Sequence, residues 1–257
     1  MATDSILAPS SVQTRTYRPV NSNVERIFYT SMAIVLCICV FIGFSPTYFQ
    51  VGMMRAPLPS PILHVHGAVF TLWMLLFVVQ VCLISARRVR WHRSLGTLAF
   101  SLPPIMVLLG VMAAIDALHR GVKIGPLDPA ISAAIPLIGI VGFAVVIYAA
   151  WRARRRPASH KRLILIATMG LVAAAFGRFP WARIGLPPAA GAVTGLGILL
   201  FIFLVYELIS IRTIHRSTMW SAPLVFASVA LSVPLGMTPA WHAFAAFLNR
   251  TLGPIFG

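Results

Sequence analysis

The sequence predicts an all-α, polytopic membrane protein: a seven-transmembrane-helix bundle with a cytoplasmic N-terminus and an outer C-terminus. Three observations predict it. Hydrophobic residues make up 59% of the 257 residues and charged residues only 10%, with a mean hydropathy of +0.88, far outside the range of soluble domains. The apolar residues gather in seven segments, each long enough at 1.5 Å per residue to cross a ~30 Å hydrocarbon layer. The formal charge of +16 comes from Lys and Arg set mostly in short runs between those segments. That pattern reports topology rather than nucleic-acid binding.

Met1 to Val24 reads as a mobile, polar cytoplasmic tail without periodicity. It has no apolar core of a cleavable signal, so the first span is expected to stay as an anchor. Residues 25–257 are expected to form one membrane domain, with spans at about 26–49, 61–86, 94–119, 128–151, 160–182, 188–211 and 220–248. In the second span His66, Trp73, Gln80 and Arg87 recur every seven residues and stay within about 60° of one another on a helix. A histidine and a glutamine in hydrocarbon are costly, so this seam should look inward, at the third, fifth and seventh spans. Pro103 and Pro104 in the third span, and Pro223, Pro234 and Pro239 in the last, should kink their helices. Cys37, Cys39 and Cys82 lie inside spans as small hydrophobes and imply no disulfide framework.

Basic residues set the orientation. With the N-terminus inside, the inner connections hold Arg15, Arg18, Arg26, Arg87, Arg88, Arg90, Arg93, Arg152, Arg154, Arg155, Arg156, Lys161, Arg162, Arg212 and Arg216. Only Arg55, Arg120, Lys123, Arg178, Arg183 and Arg250 fall outside. The excess follows the positive-inside rule and sets the inner connections against anionic headgroups and the spans against lipid.

Two polar belts result. At the outer one, His64, His66, Asp116, His119 and His242 supply the imidazole and carboxylate set that zinc, iron or copper accepts, Asp116 and His119 sharing a helical face. The competing reading pairs Asp116 with Arg120 and leaves the histidines as interfacial anchors. At the inner belt, His92 and His160 stand at one depth on different helices, as bis-histidine b-type haem requires, beside Arg-rich loops suited to propionates or headgroups. Arg178, five turns along from His160, can hold a carboxylate or propionate, or snorkel to the surface. Glu207, the one other acid within a span, is expected to pair with a neighbouring Arg.

The runs LHVHGAVFTLWMLLFVVQ, WHRSLG, RRRPASHKRLILIAT and GRFPW together resemble a family of seven-span bacterial inner-membrane proteins over roughly residues 60–245. The resemblance implies an architecture and no activity. Separately, His92-Arg93 with Gly96 is similar to the HRxxG element of ferric-reductase-like b-type cytochrome domains, which implies a place for His92 in a haem-bearing bundle. The second histidine those domains carry further along the helix is missing here up to Leu118.

Three functions follow as expectations. The first is a redox protein that holds b-type haem or another transition metal through His92, His160, Arg178, Trp73 and Gln80 or the outer set, and exchanges electrons with a quinone. The second is a non-catalytic bundle that binds lipid or assists assembly of another membrane complex. The third is a small-molecule or proton pathway along His66, Gln80 and Glu207. No phosphate-binding loop, HExxH or GxSxG motif is present, and neither lysine lies in the last span.

Overall fold

The computed structural model describes residues 22–50 and 60–256, and all its regular elements are helices. Proline writes most of their beginnings: it stands at the first positions of α2 (Pro61–Ser85), α4 (Leu102–His119), α5 (Pro129–Arg152), α6 (Pro157–Phe176) and α7 (Pro188–Ile211). There its missing N–H costs nothing and its φ is already helical. At α5 the Asp128 carboxylate also caps, accepting the Ile131 N–H at 3.0 Å. The first helix, α1 (Ser22–Phe44), runs on into a wider turn at Ser45–Phe49, so it starts inside the expected tail. The rest of that tail, with Arg15 and Arg18, and Arg55 lie outside the described residues.

Six of these segments are long and apolar enough to span a membrane: Ser22–Phe49, Pro61–Ser85, Val89–His119, Pro129–Arg152, Pro157–Phe176 and Pro188–Ile211. The third is two helices, α3 (Val89–Ala99) and α4, parted at Phe100 and Ser101. Pro103 and Pro104 cause the break, because neither can donate inside a continuous helix.

The expected seventh span is not one helix. Residues 216–252 form α8 (Arg216–Ala230), α9 (Ser232–Gly236) and α10 (Pro239–Leu252). Pro223 is accommodated within α8, whereas Pro234 and Pro239 accompany the interruptions at Leu231 and Met237–Thr238. α8 and α9 follow α5, with Gly142 against Ser228 and Gly236 against Ile131 and Ala134. α10 then crosses the end of the bundle, Trp241 donating to the Ala130 carbonyl at 2.8 Å and Asn249 meeting His119.

α1, α2, α4, α5 and α6 close a ring in which each packs on the next, and α7 and α8 cover the outer side of α6. α6 is thus the most enclosed helix, and Leu165, Ile166, Ala167 and Met169 are inaccessible. Its first turn fastens three neighbours. Consecutive residues on a helix point about 100° apart, so His160 reaches the Ala150 carbonyl of α5, Lys161 reaches Glu25 of α1 and Arg162 reaches Glu207 of α7.

Candidate functional site

The seam of α2 faces the bundle. Trp73 is 5% exposed and meets Phe143 of α5 edge-on at 6.1 Å. The helix packs mainly on α1, α3 and α4, the last being the third span expected, while Trp73 touches α5 and Arg178 of the expected fifth span acts electrostatically on His66. Along the seam, two polar regions lie at opposite ends of the bundle.

At the Arg-rich end, Gln80 fastens α3. With its amide turned the way that satisfies both of its ends, its N–H donates to His92 Nδ1 at 2.5 Å and to the His92 carbonyl at 3.1 Å, while its oxygen accepts the Gly96 N–H at 2.9 Å. Because His92 Nδ1 accepts, the ring proton sits on Nε2. The second imidazole is fixed in the opposite sense. His160 Nδ1 lies 2.9 Å from the Ala150 carbonyl, which can only accept, so His160 Nε2 carries the lone pair. The two rings act on each other electrostatically, and the Phe100 ring stands 6.0 Å from His160 and 5.0 Å from Trp151. The His92 ring also bonds the Gln80 backbone, whereas among the described residues no hydrogen bond uses His160 Nε2. The arrangement therefore presents one open imidazole acceptor, His160 Nε2, beside an aromatic wall.

At the opposite end the outer histidines go separate ways. Asp116 is fully buried on α4 and its Oδ2 accepts from Arg120 at 2.7 and 3.1 Å. His119 donates through Nδ1 to Asn249 Oδ1 at 2.9 Å. His242 lies 4.0 Å from Asp128. His64 is exposed beside Tyr48, and His66 stacks on Phe70 at 4.1 Å with its Nδ1 buried and unbonded. Among the described residues no three histidine, cysteine or acidic side chains are grouped to hold a metal. The expected ligand set does not converge because α10 and Arg120 each claim one member of it.

Arg178 stands past the end of α6 rather than on its face. Its guanidinium donates to the Ala174 carbonyl at 2.6 Å and covers the Phe44 ring at 4.4 Å. The three cysteines are free.

Comparison adds no relative. No family model, curated protein or solved structure matches the chain.

The expected pairing of Glu207 with an arginine is met by Arg162, in a second polar cluster at the Arg-rich end whose arginine and His215 contact the sequence did not specify. Glu207 Oε2 also accepts the His215 N–H at 3.1 Å, and His215 Nδ1 in turn accepts the Ser217 N–H, capping α8. Burial, and after it the charge of Arg162, hold the His215 imidazole below its usual pKa, which keeps that cap a neutral acceptor. A signal was present. His160-Lys161-Arg162 at the start of a span, with Glu25 just before the first span and Glu207 isolated in the sixth, asks for pairing across helices.

Proposed function

We propose that the protein binds the polar head of a lipid-soluble carrier of the quinone class between His92 and His160. The observation that carries this reading is the opposite fastening of the two rings, each through Nδ1. His160 Nε2 suits a hydroxyl of the reduced head and can take its proton, while Gln80 holds the His92 ring beside it. Phe100 and Trp151 supply an apolar wall for the ring. Axial ligation of b-type haem by both histidines fits less well, since iron takes a lone pair and the Gln80 bond leaves a proton on His92 Nε2.

Titration of the detergent-solubilised protein with a short-chain quinone is expected to quench tryptophan fluorescence saturably. His160→Leu and Gln80→Leu should each weaken binding by roughly tenfold, the loss of one well-made hydrogen bond. His242→Leu, at the other end, should leave it unchanged. Unsaturable quenching in the unaltered protein would overturn the reading. A second reading, a non-catalytic bundle that binds lipid or assists assembly, is favoured by the dispersal of His64, His119 and His242 to separate contacts. It predicts no quinone binding at all.

We also infer seven crossings with the N-terminus in the cytoplasm of a bacterium, α8 and α9 together making the seventh. Arg216 begins α8 beside the other arginines, and Gly236 ends α9 against the start of α5, which supports it. In a cysteine-free background, Arg250→Cys is expected to react with an impermeant maleimide on intact cells and Arg155→Cys is not. The reverse labelling would refute the orientation.

A further inference from the structure

The turns at the two ends of the bundle are built differently. Five described residues have left-handed backbone: Arg87, Arg212, Gly121, Gly125 and Gly185. The glycines lie in the α4–α5 and α6–α7 links, at the end opposite the arginine runs. At the Arg-rich end the same backbone is occupied by arginine, with φ of 59° at Arg87 after α2 and 56° at Arg212 after α7. The turn after α2 is the usual helix stop, the Arg88 N–H returning to Leu83 O at 2.8 Å and the Arg87 N–H to Ile84 O at 3.0 Å. Glycine is the residue that suits this position, because a Cβ is strained there. Strain kept where a glycine would relieve it points to the side chain that glycine lacks.

Among the described residues neither guanidinium forms an ion pair. The four described acids are engaged elsewhere: Glu25 with Lys161, Asp116 with Arg120, Asp128 at the start of α5 and Glu207 with Arg162. Arg87 and Arg212 are both exposed. Each has a second arginine and an accessible tryptophan within two turns, Arg90 with Trp91 (64% exposed) and Arg216 with Trp220 (40% exposed). Tryptophan settles at headgroup depth in a bilayer, and the planar guanidinium fork matches two oxygens of a phosphate.

We propose that Arg87 and Arg212 are headgroup clamps, held at the rim of the bundle by left-handed turns, each binding the phosphate of an anionic phospholipid. This stands apart from the His92–His160 site and survives its failure.

Thermal unfolding of the full chain in neutral micelles, with and without phosphatidylglycerol, tests it. The lipid is expected to raise the midpoint of the unaltered protein. The double variant Arg87→Gly/Arg212→Gly should unfold roughly 2–4 °C higher in neutral micelles, as its turns are relieved, and lose at least half of the lipid increment. Arg87→Lys/Arg212→Lys, which keeps both charge and strain, should retain most of the increment with no gain in neutral micelles. The proposal falls if the glycine variant keeps its full increment, if the unaltered protein shows none, or if the lysine variant gains as much as the glycine one. An equal increment from glycerol 3-phosphate at the same concentration would assign the site to soluble phosphate and overturn the lipid.

Discussion

Glu207→Leu is expected to destabilise the bundle by about 3–5 kcal/mol, the cost of leaving one member of a buried ion pair without the other. The pair is closed off from solvent, Arg162 being 2% and Glu207 0% exposed. Glu207 joins the Arg162 Nε to the His215 N–H, while the guanidinium also donates to the Ala158 carbonyl at 2.7 Å. Losing the carboxylate therefore loosens α6, α7 and the start of α8 together. Glu207→Gln keeps one of the two acceptors, its NH2 facing the other donor, and should cost less than the leucine change. The double change Arg162→Met/Glu207→Leu should recover most of the loss, because an apolar pair of similar volume needs no desolvated charge. Denaturant titration in detergent measures all three. A loss below ~1 kcal/mol in Glu207→Leu, the size found for surface pairs, would show that water reaches the site.

Gly43→Ala should separate α1 from α6. A Cβ at Gly43 overlaps the carbonyl oxygen of Ala175, and its next nearest neighbours are backbone atoms of the same residue at 2.8 Å. Backbone inside a helix cannot swing aside as a side chain can, so the two axes must part, at a cost of about 1–3 kcal/mol or more. Because the collision is with backbone, Ala175→Gly should not rescue it. Gly139→Ala is the control. Nothing lies within 4 Å of a Cβ there, and alanine favours a helix interior over glycine. It should be neutral or slightly stabilising. Equal losses at both positions would mean that helix contact is not what Gly43 serves.

These two sites differ in how far the sequence announces them. Glu207 is one of very few acids inside apolar segments, so its need for a partner is visible, but which of the many arginines answers is not. The choice falls to Arg162 because α6 turns consecutive residues towards three different helices, leaving Lys161 for Glu25 and His160 for Ala150. Gly43 carries no such mark. It is one of eighteen glycines, and only the approach of α1 to α6 separates it from Gly139.

The inner histidines and the outer ones show the same division. His92 and His160 share a depth in the sequence and act on each other electrostatically in the structure, yet the Gln80 bond that sets the His92 proton depends on where α3 lies against α2. The outer set shares a depth as well and still disperses. α10 lies across the bundle instead of along it, and takes His119 and His242 into its own contacts.

By itself the sequence determined the helical class, six of the seven apolar spans it predicts, the inward-facing Trp73 of α2 and the interruption at Pro103 and Pro104. Those properties follow from sums along the chain: transfer energy, residue period and missing N–H groups. Only the tertiary structure decided which helices form the ring, which arginine meets Glu207, that the last segment breaks into three and that the outer histidines do not meet. Those outcomes depend on the rotation and tilt of each helix against its neighbours, which packing sets between residues far apart in sequence.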